Sequence, residues 1–531
     1  MARIRTVRHP VWLLAAALMS FAGCMLPDAP PADDFIGPAR LTAAGGPAPA
    51  RKTPPVPPTG PLNVSVIDAV LIGLENNRAL VVERRNPPIR QTYEGQERAV
   101  FDPVLTAEAG VSRESAEVGG ADVRTTSVDA GAAVAKRFPA GTDVEVGVTG
   151  DQTRNGAARN SVRAGLSITQ ALLRGAGSDV NLADLRQARL DTLSSQYELR
   201  GFAEALVADI ESACWDYALA RRQIEIYEQS LKLAGDQLKE AQERVKVGKL
   251  AETELAAARA EVALRQEALI DARSGLDTTR LLLLRLTNPP GAGLWGRQVV
   301  LKDVPSVPDV PLDDVEDHVR LALKMRPDLN EARLRVQHGD LEVVKTRNGL
   351  LPKLDLFISL GKTGYADSFG SSVGDLDDKH YDVFAGLGFE FPLGNRDAKA
   401  RHRRAVLTRH QASDAVANLE QLIQVDVRSA AIEVKRTAEQ VAATQATRKA
   451  QEEKARAEAE KFRVGKSTAI LVAAAQRDLV ESQIAEIQAA VNCLKAVIDL
   501  YRLDGSLLER RGIAAPGRTP VISAPVTDGG A

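Results

Sequence analysis

Few residues of this chain are of types that could do chemistry. It has three cysteines and six histidines among 531 residues. Catalysis or metal binding needs such groups at fixed spacing, as a nucleophile with its base or as a ligand set. Cys214 and Cys493 each stand alone in an apolar helical pattern, which favours small buried side chains. The histidines show no ligand spacing either, and they are His9, His318, His338, His380, His402 and His410. We therefore predict no catalytic residue and no metal site.

A glycine-rich run, Gly291–Gly296, spells GxGxxG. In a dinucleotide-binding domain this run follows a strand and opens a helix, because the phosphates bind at the helix N-terminus. Here it follows Asn288-Pro289-Pro290, and residues 297–303 look extended. The sequence therefore predicts no cofactor and no enzyme.

Covalent modification is predicted at one residue, Cys24. A basic N-terminus precedes an apolar run, Val11–Phe21, that is too short to span a bilayer and is typical of a secretory signal peptide. Phe21-Ala22-Gly23-Cys24 resembles a bacterial lipobox, with Phe where Leu is usual. That resemblance implies removal of residues 1–23 and acylation of Cys24, and Met25 at the next position implies outer-membrane lipid as the destination. The alternative is an ordinary signal peptide whose cysteine is incidental.

Composition divides the rest of the chain. Residues 24–62 are rich in Pro, Ala and Gly and are predicted to form a tether, and residues 511–531 a disordered tail. A net charge of −2 offers no basic field for nucleic acid. Aromatic residues make up only 4%, and Ala, Leu, Glu, Lys, Arg and Gln dominate between the two ends. This composition is typical of coiled coils.

A duplication explains the helical part. ERVKVGKLAETELAAARAEV around Gly248 recurs as EKFRVGKSTAILVAAAQRDL around Gly465, 217 residues later. Apolar residues at heptad spacing between Ile210 and Val245 predict a long helix that packs along its whole length. We predict two repeats, 63–290 and 313–510, joined by a linker at 291–312. Their long helices are expected at about 179–287 and 397–503, with hairpin turns at the two glycines.

Alternating segments precede each helical hairpin, at about 101–172 and 353–391. Each strand has one apolar and one polar face, and strands of about 9 to 11 residues can cross a bilayer when tilted. A soluble sandwich has the same alternation. The polar positions predicted to face a lumen are Asp143, Glu145, Arg163, Ser167, Thr169, Asp355, Ser359 and Glu390. The first half also holds an extra pair, Ser127–Phe138 and Gly141–Thr149, which either widens a barrel or covers its mouth.

These features together resemble the TolC-type outer membrane efflux proteins over residues 63–505. The resemblance rests on the twin turns Val247-Gly248-Lys249 and Val464-Gly465-Lys466, and on the strand-to-helix junctions at Phe389–Arg401 and Ser167–Gly177. It implies an α+β membrane protein with a coiled-coil helical barrel and a trimeric transmembrane β-barrel. The implied partners are two further copies, a periplasmic adaptor and an inner-membrane pump. The implied adaptor contacts are Gly248, Lys249, Leu250, Thr253, Gly465, Lys466, Ser467 and Thr468.

The chain departs from this family at one place. Members often carry aspartates six and nine residues after the second glycine, and here those positions are Leu471 and Ala474. An acidic ring is therefore not expected there, although Glu252, Glu254 and Asp478 lie nearby in sequence. The predicted function is the outer-membrane channel of a tripartite efflux or type I secretion system, lipid-anchored and largely periplasmic. The alternative is a secreted coiled-coil scaffold of the cell envelope without a channel.

Overall fold

A computed structural model of the chain describes residues 57, 59–118, 121–155, 157–248, 251–306, 314–376 and 381–521. The predicted signal peptide and Cys24 lie outside these residues. The chain divides into two compact units. The first unit contains Pro88–Thr192 and Leu334–Asp414, and the second contains Leu193–Arg333, the chain from Ala415 onwards and the segment just before Pro88.

The described strands are β1 (Leu62–Val64), β2 (Val104–Val118), β3 (Ala121–Phe138), β4 (Thr142–Asn155), β5 (Ala157–Ala171), β6 (Val299–Leu301), β7 (Lys353–Ala366) and β8 (Tyr381–Glu390). The described α-helices are α1 (Val66–Asn76), α2 (Arg78–Glu83), α3 (Asn86–Ala99), α4 (Ser178–Asn181), α5 (Ala183–Lys246), α6 (Glu252–Thr287), α7 (Val315–Met325), α8 (Pro327–Asn348), α9 (Phe369–Asp375), α10 (Arg396–Arg463), α11 (Ala469–Leu503) and α12 (Leu507–Arg510). The four long helices are α5, α6, α10 and α11.

The first unit contains one antiparallel sheet of six strands, in the order β2-β3-β4-β5-β7-β8. The extra pair of the first half, β3 and β4, lies inside this sheet between β2 and β5. It therefore widens the sheet, and both strands are longer than the alternation alone predicted. In the second half, α9 stands between β7 and β8 instead of a strand pair.

Helix α9 packs on the sheet because two glycines leave room for it. A Cβ on Gly150 would lie 2.8 Å from the Phe369 ring, and one on Gly364 would lie 2.1 Å from the carbonyl oxygen of Ser372. The Ser372 hydroxyl donates a hydrogen bond to the carbonyl of Asn160 on β5 (3.2 Å). This part of the sheet surface is thus covered by the chain itself.

The second unit is held by two apolar clusters. One joins α1, α5, α6 and α12 with the two short strands, and its fully buried members include Ile72, Ile210 and Leu283. The other joins α7, α10 and α11 around Ile423, Val427 and Leu500. Cys214 and Cys493 are free thiols buried in α5 and α11, and burial raises the pKa of the Cys214 thiol. A free cysteine so placed behaves as a small apolar side chain.

Regular structure begins at Leu62, the last residue of the predicted tether at 24–62. β1 pairs in parallel with β6, Leu62 with Val299, and Leu62 is buried. The Arg297 guanidinium donates hydrogen bonds to the carbonyl oxygens of Pro57 and Gly60. The segment predicted to be a tether therefore ends at the start of a strand, Leu62–Val64. The partner strand, Val299–Leu301, lies in the predicted linker, within the residues 297–303 that the sequence pattern predicts to be extended.

The predicted disordered tail is wrong for residues 511–521. Arg511 forms a bidentate ion pair with Glu211 of α5 (2.5 and 2.7 Å). Ile513 is 2% exposed and belongs to the first apolar cluster. Farther on, the Tyr197 hydroxyl donates to the carbonyl of Thr519, and the backbone N–H of Val521 donates to Asn330 (2.8 Å). This segment is bound along its length despite its Gly and Pro content.

Among the described residues, no helix is both long enough and apolar enough to serve as a membrane span.

Candidate functional site: the hairpin tips and the two faces of the sheet

The turn of the first helical hairpin is made by one glycine. Gly248 has φ +72°, and its N–H donates to the carbonyl of Val245 (2.9 Å), which ends α5. A Cβ at this position would meet nothing within 4 Å, so the left-handed backbone, rather than lack of space, favours glycine. Thr253, in the first turn of α6, is exposed. Lys249 and Leu250 lie outside the described residues.

The second hairpin repeats this geometry. Gly465 also has φ +72° with open space around it, and its N–H donates to the carbonyl of Phe462 (3.1 Å). Thr468 is the N-cap of α11, and its side chain accepts from the N–H of Leu471 (3.4 Å). Lys466 and Thr468 are exposed, and Ser467 is half-buried. The structure thus brings the described tip residues of each hairpin to a turn.

The two tips also touch each other. A Glu254 carboxylate oxygen on α6 accepts the N–H of Ala469, the first residue of α11 (3.2 Å). The Arg244 guanidinium lies over the Phe462 ring, 5.1 Å from its centroid. A carboxylate at a helix N-terminus is favourable because it satisfies an orphan N–H and the helix dipole. Sequence reasoning named Glu254 only as a nearby charge and missed both contacts, which join residues more than 200 positions apart.

Exposed apolar side chains surround both turns. Val247, Val464, Ile470 and Leu471 have between 54% and 65% of their surface exposed. The sequence offered a signal for two of them, since both valines belong to the duplicated turn. An exposed apolar patch with a charged rim is typical of a protein-binding surface.

Two carboxylates near the second turn are already engaged. Asp478 pairs with Lys454 (2.6 Å). Hydrogen bonds from Lys461 and Ser467 hold the pKa of Glu458 below its usual value. Both carboxylates thus have a basic or hydroxyl partner within the second hairpin.

The sheet has one polar face. Because directly paired residues share a face, the register places all eight predicted lumen residues on the same side. Asp143 pairs with Thr169, and Glu145 pairs with Ser167, which in turn pairs with Ser359. Phe357 and Phe384 stack on this face, with ring centroids 5.4 Å apart. The aromatic pair was not foreseen, because both rings occupy positions of the polar alternation.

The opposite face is apolar, and it is exposed outside the part that α9 covers at Gly150 and Gly364. Its middle rows carry Val, Leu, Ile and Ala from every strand, and the exposed members include Leu105, Val111, Val383, Leu387 and Phe389. A sheet with one polar face and one exposed apolar face is typical of the strands of a transmembrane β-barrel.

Nothing in the described part of the chain resembles a metal centre: no group of three or more His, Cys, Asp or Glu side chains could hold an ion there. Residues 294–296 of the GxGxxG run form a short 3-10 turn followed by β6, rather than a long helix opening after a strand.

The sequence profile of the outer membrane efflux protein family matches residues 73–288 and 319–506, which is more than half of the chain. The chain belongs to the outer membrane efflux protein family. The two matched stretches confirm the internal repeat. No curated protein sequence matches the chain significantly.

Solved structures resemble this efflux protein over most of its length. The outer-membrane channel OprN has a TM-score of 0.64 at 16% identity, covering 83% of this chain and 90% of its own. The CmeC outer membrane channel of Campylobacter jejuni has a TM-score of 0.64 at 15% identity, covering 83% and 86%. The MtrE outer membrane channel of Neisseria gonorrhoeae, in its open state, has a TM-score of 0.60 at 18% identity, covering 84% and 90%. The predicted TolC-like fold is confirmed.

Membership makes this efflux protein an outer-membrane channel protein with a large periplasmic helical part. Family and structural relatives are channels, not enzymes.

A buried ionic cluster supports the helical part of the efflux protein. Arg200 on α5 is fully buried and bonds to Glu204 (3.0 Å), to Glu509 (2.6 Å) and to the carbonyl of Gly505 (3.2 Å). Burial raises the pKa of Glu204 to about 8, against the attraction of Arg200 and reinforced by the repulsion of Glu509. Sequence reasoning missed this cluster, because Arg200 and Glu509 are 309 residues apart.

Proposed function

We propose that this protein is the outer-membrane exit channel of a tripartite efflux or type I secretion machine. Three copies pool their sheets into one barrel, whose polar faces line the lumen. The observation that carries the proposal is the sheet itself, with one polar face, one exposed apolar face and two strands, β2 and β8, each paired on one side only among the described residues. Exposed sheet edges invite pairing with another chain.

The strand number suits closure. In an antiparallel sheet of six strands, β2 and β8 run in opposite directions. The edge β8 of one copy can therefore pair antiparallel with β2 of the next, as bacterial barrels with an even strand number require. Three copies of six strands give eighteen, a size at which barrels enclose a water-filled channel.

The partners are proposed from the hairpin tips. Val247, Val464, Ile470 and Leu471 leave an exposed apolar patch at the turns, which a periplasmic adaptor would cover. The adaptor in turn recruits an inner-membrane pump. A photo-crosslinking amino acid at Ile470 is expected to capture the adaptor in intact cells, whereas the same probe at exposed Arg222, in the middle of α5, is expected to capture none.

Equal capture at both positions, or none at either in cells that export normally, would count against the tip assignment. Extraction of the native protein without detergent would favour the scaffold alternative. The lipid anchor is proposed at Cys24, and Cys24→Ser should abolish acyl labelling while an ordinary signal peptide would give no labelling in either protein.

A further inference from the structure

The apolar face of the sheet ends in a cluster of arginines. On this face, β2, β3 and β4 each run through Val, Ala or Leu and then reach one arginine towards the same end of the sheet, and these are Arg113, Arg124 and Arg154. Arg113 pairs with Thr126, which pairs with Arg154, so the three residues form one row. Arg124 pairs with Ser115, the next position on the same face. With adjacent strands about 4.8 Å apart, all three guanidinium groups fall on one small patch.

The three arginines are exposed and form no ion pair with any residue that the structure describes. All three side chains are exposed, and within the described residues none forms an ion pair or a side-chain hydrogen bond. The next row on this face pairs Glu117 of β2 with Asp122 of β3, and no ion pair joins Glu117 to any of the three arginines. On the neighbouring strands β5 and β7, the corresponding level is covered by α9. The three arginines thus form an exposed basic area on the sheet, beside the part that α9 covers.

The patch lies at the end of the sheet opposite the start of α5. The turn between β3 and β4 is at the other end, where Gly141 packs against the carbonyl of Gly175 and the side chain of Asn181, just before α5. If the helices are periplasmic and the apolar face meets lipid, as the proposed function requires, the arginines lie at the outer rim of the membrane. There the apolar rows would contact acyl chains and the arginines would meet headgroups.

We propose that Arg113, Arg124 and Arg154 form a binding surface for the phosphate of an anionic lipid headgroup in the outer leaflet. A guanidinium presents paired N–H donors that match phosphate oxygens, and basic clusters beside an apolar surface bind anionic membranes. Free phosphate lacks the acyl chains that the adjoining apolar rows would hold. The inference rests on the proposed function, since it needs the apolar face to meet lipid.

The test compares two triple variants of equal charge. R113Q/R124Q/R154Q removes the patch, and R137Q/R159Q/K353Q removes three basic residues of the polar face. Each purified protein in neutral detergent is titrated with phosphatidylglycerol and with phosphatidylcholine, and bound lipid is counted by native mass spectrometry. Wild type and the control variant are expected to prefer phosphatidylglycerol by about tenfold or more, and the patch variant to lose that preference.

Other results would contradict either the lipid-binding surface or the proposed channel function. If wild type forms pores in a planar bilayer but binds the two lipids equally, or if the control variant loses as much preference as the patch variant, the inference fails while the proposed function stands. If inorganic phosphate at the same concentration displaces the lipid fully, the patch is a plain anion site and the lipid surface is rejected. If wild type forms neither trimer nor pore, the proposed function fails and the inference falls with it.

Discussion

Arg163 on β5 and Asp382 on β8 form a bidentate ion pair (2.9 and 2.6 Å) that crosses the intervening strand β7. The pair passes over Gly361, where a Cβ would lie 2.7 Å from both the Arg163 Nη2 and an Asp382 carboxylate oxygen. It ties a strand of the first repeat to the last strand of the second. Both side chains are about two-fifths exposed on the polar face, so the pair fixes register more than it adds stability.

Gly361→Ala is expected to displace this ion pair, because the added methyl would take the place of the guanidinium and carboxylate ends. The expected loss of stability is about 0.2–1 kcal/mol, since the two side chains are flexible and their pair is partly exposed. The matched control is Gly165→Ala. Gly165 pairs directly with Gly361, yet its Cβ would meet nothing nearer than 3.7 Å. The measurement is the temperature at which the detergent-solubilised protein unfolds. Equal midpoints for the two variants would show that the pair does not depend on the glycine.

Glu254→Ala is expected to loosen the start of α11. The substitution removes the acceptor of the Ala469 N–H, and loss of an N-terminal acceptor costs about 1 kcal/mol. Hydrogen exchange at the first amides of α11 should therefore quicken about fivefold. Glu252→Ala is the control, because it removes the same charge from an exposed position in the same turn. Identical exchange in both variants would mean that the contact between the tips contributes nothing.

Ile513→Ala is expected to lower the stability of the helical unit by about 2–4 kcal/mol, since the side chain is buried in the core. Arg518→Ala, in the same segment but exposed, should change it little. Denaturant unfolding of the detergent-solubilised protein measures the difference. A change in the free energy of unfolding as small for Ile513→Ala as for Arg518→Ala would support the predicted disordered tail from residue 511.

Glu204 predicts a pH dependence. Its pKa is about 8 in the folded protein against 4.5 as the ordinary value, so the folded state binds more protons between these limits. The contribution of Glu204 to stability is thus fully present below about pH 4.5 and is lost as the pH rises through about 8. The unfolding temperature of wild type should fall relative to Glu204→Gln between about pH 5 and pH 8. Glu198→Gln, exposed on the same helix, should run parallel to wild type, and parallel curves for Glu204→Gln would contradict the assignment.

Local signals located the main elements in the sequence. Gly248 and Gly465 mark the two turns because a left-handed residue that ends a helix is a local requirement. The faces of the strands could be predicted because alternation is local too, and the register gathers the eight polar positions on one side. Whether that side faces a lumen stays a proposal.

Contacts between distant parts of the chain could not be predicted. Arg511 forms an ion pair with Glu211, 300 residues away. Strand β1 pairs with β6, which is also distant in the sequence. The arginine patch needs the register, because Arg113, Arg124 and Arg154 share no motif in the sequence. The place of the extra strand pair was open for the same reason, since alternation fixes a strand's faces but not its neighbours.

The most direct test of the account is the single-channel current of the purified protein in a planar lipid bilayer. We expect discrete, uniform conductance steps, one for each inserted trimer, because the proposed barrel of three six-stranded sheets would enclose water between polar faces. A folded, helical protein that inserts or binds without any current steps, or that remains a monomer, would contradict the account.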